Sequence, residues 1–99
     1  MMVGVCRIEL FIPGSQSLKD KRQVVKRLTS KISHRFNVSV SEVDHHDLWQ
    51  RGTIAVAHVS NTQADVERLF RRLGAFAEGI SDGEIIRVEY KYYDPDRDQ

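Results

Sequence analysis

Residues 3–36 read VGVCRIELFIPGSQSLKDKRQVVKRLTSKISHRF, and the hydrophobic pattern changes period partway through. From Val3 to Ile12 the chain alternates. Cys6, Ile8, Leu10 and Ile12 share one face, while Val5, Arg7, Glu9 and Phe11 share the other, which is the period of a strand. Pro13-Gly14-Ser15 ends the run, because proline lacks a ladder donor and glycine permits the turn. Beyond it Leu18, Val25, Leu28, Ile32 and Phe36 recur at helical spacing. Ser17 is the expected N-cap, with Asp20 three residues on in a capping-box arrangement. The spacing predicts a helix over residues 18–35.

The remainder repeats this logic. Asn37 to Val43 alternates Val38 and Val40 with Ser39 and Ser41, a second strand whose serines suit a sheet edge. Asp44-His45-His46-Asp47 forms a polar turn. Arg51 to Val59 is a third strand, with Ile54 and Val56 opposite Ala55, Ala57 and Val59. Asn61 or Thr62 starts a second helix whose stripe is Val66, Leu69, Phe70, Leu73, Phe76, Ala77 and Ile80. After Ser81-Asp82-Gly83, residues 84–92 form a fourth strand with Ile86, Val88, Tyr90 and Tyr92 on one face.

The order β-α-β-β-α-β predicts an α+β, ferredoxin-like sandwich, a four-stranded antiparallel sheet with two helices on one face. Residues 1–93 form one domain, and the acidic tail 94–99 is expected to fray. The helices are expected to cover Ile8, Leu10, Val38, Val40, Ile54, Val56, Ile86 and Val88. The open face would then carry Val5, Phe11, Val43, Ala55, Ala57, Val59 and Ile85 among Arg7, Glu9, Arg87, Glu89 and Lys91. So apolar a face predicts a homo-oligomer.

Composition narrows the classes of function. The chain is 40% hydrophobic and 29% charged, as an ordinary globular domain is. Its net charge of +1 means that any attraction to nucleic acid must come from local clustering. Cys6 is the only cysteine, which excludes an intrachain disulfide and a Cys-rich zinc site and suits a reducing compartment. No apolar run approaches the ~18 residues of a membrane span. A soluble, cytoplasmic protein is expected, with no membrane partner.

The run Ile12-Pro13-Gly14-Ser15-Gln16-Ser17-Leu18-Lys19-Asp20-Lys21-Arg22 resembles the "IPG.SLK.KR" segment of the YlxP-like family of small bacterial proteins. Residues Arg35 to His45 and Asp47-Leu48-Trp49-Gln50-Arg51 resemble it too, so the likeness spans nearly the whole chain. It implies a ferredoxin-like fold. It implies little about activity, because the family's function is unknown. Members are often encoded beside translation initiation and ribosome-maturation factors, which implies an RNA or ribosome partner by association only.

Charge on the first helix is the strongest local feature. Lys19, Lys21, Arg22, Lys26, Arg27, Lys31 and Arg35 stand against Asp20 alone, a local net of +6, while the rest of the chain sums to −5. Lys19, Arg22 and Lys26 form one ridge, with Arg27 and Lys31 on the other flank. These five are the candidate nucleic-acid contacts, as neutralisers of backbone phosphates. Against this stands an ordinary solvated helix face. Lys21 falls within the apolar stripe, where it is expected to snorkel to the surface or, less simply, to point at a ligand.

Ser15, Ser17 and Lys19 at the helix start are candidate anion ligands, although capping alone accounts for Ser17. Asp44, His45, Asp47 and Trp49 make a candidate functional turn. His45 could act as an acid or base oriented by Asp44 or Asp47. Consecutive residues diverge, so a metal there would need Glu42 or His58 as well, and no metal or cofactor is expected. Trp49 is expected to anchor the turn to the core. The exposed aromatics of an RNA-recognition motif are missing from the third strand, and the first offers only Phe11.

The leading expectation is a non-enzymatic RNA- or ribosome-associated module. The alternatives are a small metal-assisted or acid/base enzyme at residues 44–47, and a protein-interaction or ligand-sensing module using the open sheet face.

Overall fold

A computed structural model of the chain describes residues 1–97. The elements are β1 (Met2–Phe11), α1 (Leu18–Arg35), β2 (Ser39–Asp44), β3 (Arg51–Ser60), α2 (Gln63–Ile80) and β4 (Glu84–Tyr93). The antiparallel sheet has the order β2-β3-β1-β4, and both helices cover one face, giving the expected ferredoxin-like α+β fold.

Local chemistry sets the helix starts. Ser17 Oγ accepts from the Asp20 N–H (3.0 Å), and the Asp20 carboxylate accepts from the Gln16 N–H (3.1 Å). Thr62 plays the same part for α2, accepting from the Asp65 N–H. The stripes Val25, Leu28, Ile32 and Val66, Phe70, Leu73, Ala77 then close on Cys6, Ile8, Leu10, Ile54 and Val56. Gly4 lets α2 lie close, since a Cβ there would run into Val66 and Phe70.

Two bulges shift faces in ways that simple alternation does not show. In β4, Glu9 pairs with Arg87 but Leu10 pairs with Ile85, so Ile86 is the extra residue. Ile85 therefore joins the core and Ile86 is exposed, the reverse of the expected assignment. Val88 keeps the helix-side register opposite Ile8, yet it remains exposed on this edge strand. In β2, Glu42 pairs with Ile54 and Asp44 with Thr53, leaving Val43 out of register and exposed.

Across the open face run the rows Val59–Val3–Tyr93 and Ala57–Val5–Lys91, followed by Ala55–Arg7–Glu89 and Thr53–Glu9–Arg87. One end is apolar and the other charged. In the tail, residues 94–97 form a turn and Asp96 pairs with the Met1 amine at 2.9 Å. Residues 98 and 99 of that tail lie outside the described residues. Among the described residues no helix is long and apolar enough to cross a membrane.

Cys6 is buried among apolar side chains, and burial pushes its thiol from about 9 up to about 11. The folded state therefore holds this proton longer than the unfolded chain does. Its contribution to stability is complete below pH 9 and is lost as pH rises through 11, a change of about 2–3 kcal/mol. Urea unfolding at pH 7, 9 and 11 is expected to show a larger loss in the wild type than in Cys6→Ala, which keeps only the smaller loss from Tyr90 and Tyr92, whose hydroxyls burial also pushes up.

Candidate nucleic-acid interface

The seven cations of residues 19–35 divide into groups with different tasks. Lys21 is fully buried, on the same stripe as Val25, Leu28 and Ile32. Its ammonium neither snorkels to solvent nor points at an open site. Nζ donates to Glu42 Oε2 at 2.8 Å, to the His45 carbonyl at 3.0 Å and to the His46 carbonyl at 3.3 Å. Three donors thus meet three acceptors, which is the condition for burying an ammonium without a large desolvation cost.

Several elements build this socket. Glu42 lies on the helix-facing side of β2, in line with Val38 and Val40, just before the Val43 bulge. His45 takes φ 62°, a left-handed turn in which its carbonyl accepts from both Lys21 and the Leu48 N–H. Gly52 lies against α1, where a Cβ would sit 3.3 Å from Val25 Cγ2, a tight approach, and only in ordinary contact with Glu42 and with Lys21 Cδ. Gln50 reaches the carbonyls of Pro13 and Ser15 and joins the β2–β3 turn to the start of α1.

The proposed acid/base turn is organised around structure. His45 Nδ1 lies 2.7 Å from Thr53 Oγ1, so its neighbour is a buried hydroxyl and not the carboxylate of Asp44 or Asp47. Asp44 accepts from the His45 N–H at 2.7 Å and faces Arg7 at 3.7 Å. The His45 N–H first, with nearby positive charge, holds its carboxyl below the usual range. Asp47 is exposed. Trp49 does not anchor the turn: it is 52% exposed beside exposed Leu48, because Lys21 already ties this turn down from inside. Among the described residues no three His, Cys, Asp or Glu side chains gather to hold a metal.

At the start of α1, Ser15 is buried with its hydroxyl donating to the Ser17 carbonyl, while Lys19 is exposed. Ser17 and the Asp20 carboxylate close the cap on themselves. The three candidate anion ligands do not converge there.

Lys19, Arg22 and Lys26 stand outside the core and, among the described residues, form no ion pair. The seven residue steps from 19 to 26 span ~10 Å of helix. Lys31 is exposed and likewise unpaired among the described residues, whereas Arg27 forms an ion pair with Asp82 and leaves the proposed set of free cations.

This chain belongs to the family described as "Protein of unknown function (DUF503)", which it matches over residues 3–90. It is 36% identical over 91 residues to the uncharacterized protein YlxP of Bacillus subtilis (strain 168), covering 90% of this chain and 99% of that one. A solved structure, that of a mutant of SnoaB, a cofactor-independent oxygenase from Streptomyces nogalater, aligns with 94% of this chain and 91% of that one at TM-score 0.47 and 9% identity. A likeness that distant carries no argument about activity.

The socket makes a direct prediction. Lys21→Met leaves Glu42 and the His46 carbonyl without this donor, and the His45 carbonyl with the Leu48 N–H alone, and is expected to cost about 3–5 kcal/mol. Adding Glu42→Leu is expected to recover part of that loss. Chemical denaturation of the two single variants and the double variant measures the coupling.

Proposed function

We propose that this protein is a non-enzymatic RNA-binding module that docks structured RNA, on or near the ribosome, through Lys19, Arg22, Lys26 and Lys31. The observation that supports this reading is the division of the cations on α1. Lys21 is consumed inside the fold and Arg27 by Asp82, yet the remaining basic residues stand in solvent with no carboxylate of a described residue paired to them. Like charges held on one rigid helix repel one another, and a phosphate backbone relieves that repulsion. Contacts of this kind position a partner without reading its sequence. The wider molecule is nearly neutral, so the attraction belongs to this helix and not to the chain as a whole.

A titration of fluorescent structured RNA at several salt concentrations tests the proposal. Affinity is expected to fall steeply with salt. Lys19→Ala/Arg22→Ala/Lys26→Ala is expected to lower the log–log salt slope by about 2–3. Arg27→Ala, which removes a paired cation, is expected to change it much less. No binding at low salt, or a triple variant that binds as the wild type does, contradicts the reading.

A further inference from the structure

Where α1 ends, a second set of side chains meets the middle of α2. Arg35, one turn beyond Lys31, holds its guanidinium carbon 5.1 Å from the centre of the Phe76 ring. Arg72 of α2 places its own 5.9 Å from the centre of Phe36. The two rings meet edge to face, 5.6 Å between centres and 73° between planes. Each guanidinium is thereby backed by a ring from the other helix or its cap, and the two rings brace each other.

These groups border an open groove of about 580 Å³ lined by Lys31, His34, Arg35, Arg72 and Phe76. No lining residue is acidic, and among the described residues none of the three permanent cations has an ion-pair partner. The His34 ring donates from Nδ1 to the Ser30 carbonyl at 2.8 Å, which makes Nε2 the acceptor of the neutral ring. The space is shallow and wide open to solvent, closer to a platform than to an enclosed pocket. Its lining combines flat cationic surfaces, an aromatic ring and an amine, the groups that receive a base and its phosphate.

We propose that this groove binds an unpaired nucleotide of a single-stranded RNA segment, its base stacked against the arginine–phenylalanine layers beside His34 and its phosphate beside Lys31. This rests on the RNA-docking reading and shares Lys31 with it, but it adds His34, Arg35, Arg72 and Phe76 and makes a different demand. The Lys19–Arg22–Lys26 ridge tolerates any phosphate backbone, whereas a base can enter the groove only if it is free of a duplex.

The test compares an unstructured ten-nucleotide uridine RNA with a duplex of equal charge, using wild type, R35K/R72K and K19A/R22A/K26A. The lysine variants keep the charge and lose the stacking plane, and both positions are exposed, so the fold is retained. The expected result is that R35K/R72K binds the single strand about tenfold more weakly and the duplex within about twofold of wild type. Equal effects on both RNAs, or no effect on either, overturn the groove inference and leave the ridge reading standing. A ridge variant that binds both RNAs as wild type does, while R35K/R72K still loses the single strand, overturns the ridge reading and supports the groove. Failure of both RNAs to bind wild type at low salt overturns both. UMP titrated alone separates the sources by NMR. Shifts at His34 and Phe76 with UMP support a free nucleotide as ligand, and shifts with the oligonucleotide alone support a strand. No shift at either residue with either probe contradicts the proposal.

Discussion

A single buried ammonium organises one end of this molecule. Lys21 enters the core from the first turn of α1 and finds its three partners on Glu42, His45 and His46, all in or beside the β2–β3 connection. An ammonium in such surroundings is costly unless every donor is met, so the geometry of those partners is tightly prescribed. The β2 bulge and the left-handed His45 each serve that requirement. The turn is held from within, which is why Leu48 and Trp49 are free to face solvent.

The same interaction sorts the charge of α1. Counted along the sequence, residues 19–35 carry a large excess of cations. In the folded chain Glu42 neutralises one of them and Asp82 another, and Asp20 sits on the cap. What remains is smaller and better defined. One ridge lies near the helix start, and a second group lies near its end, where α2 supplies Arg72 and Phe76. Both are polyanion-compatible surfaces, but they differ in kind: the first offers only charged heads on flexible stems, while the second adds stacking planes fixed against aromatic rings.

Much of the architecture was legible because period and punctuation agree. Strand alternation stops at Pro13-Gly14, helical spacing begins after Ser17, and the same grammar recurs after Ser60. The bulges were not legible, since one extra residue in a ladder is decided by tertiary fit. That is why Ile85 and Ile86 exchange faces. Lys21 could be seen as anomalous in its stripe, and a paired signal lay in Glu42, a carboxylate in line with Val38 and Val40. Nothing local joined residues 21 apart. The Arg35–Phe76 and Arg72–Phe36 contacts likewise exist only once α1 and α2 are packed side by side.

Lysine modification read residue by residue tests the central claim most directly. Native protein is treated with a lysine-selective reagent in the presence and absence of structured RNA, and labelling is located by mass spectrometry. The account predicts that Lys21 stays unmodified in both conditions while Lys19, Lys26 and Lys31 are modified freely and become protected when RNA is present. Labelling of Lys21 at the rate of Lys19, or RNA that protects none of the three, would contradict it.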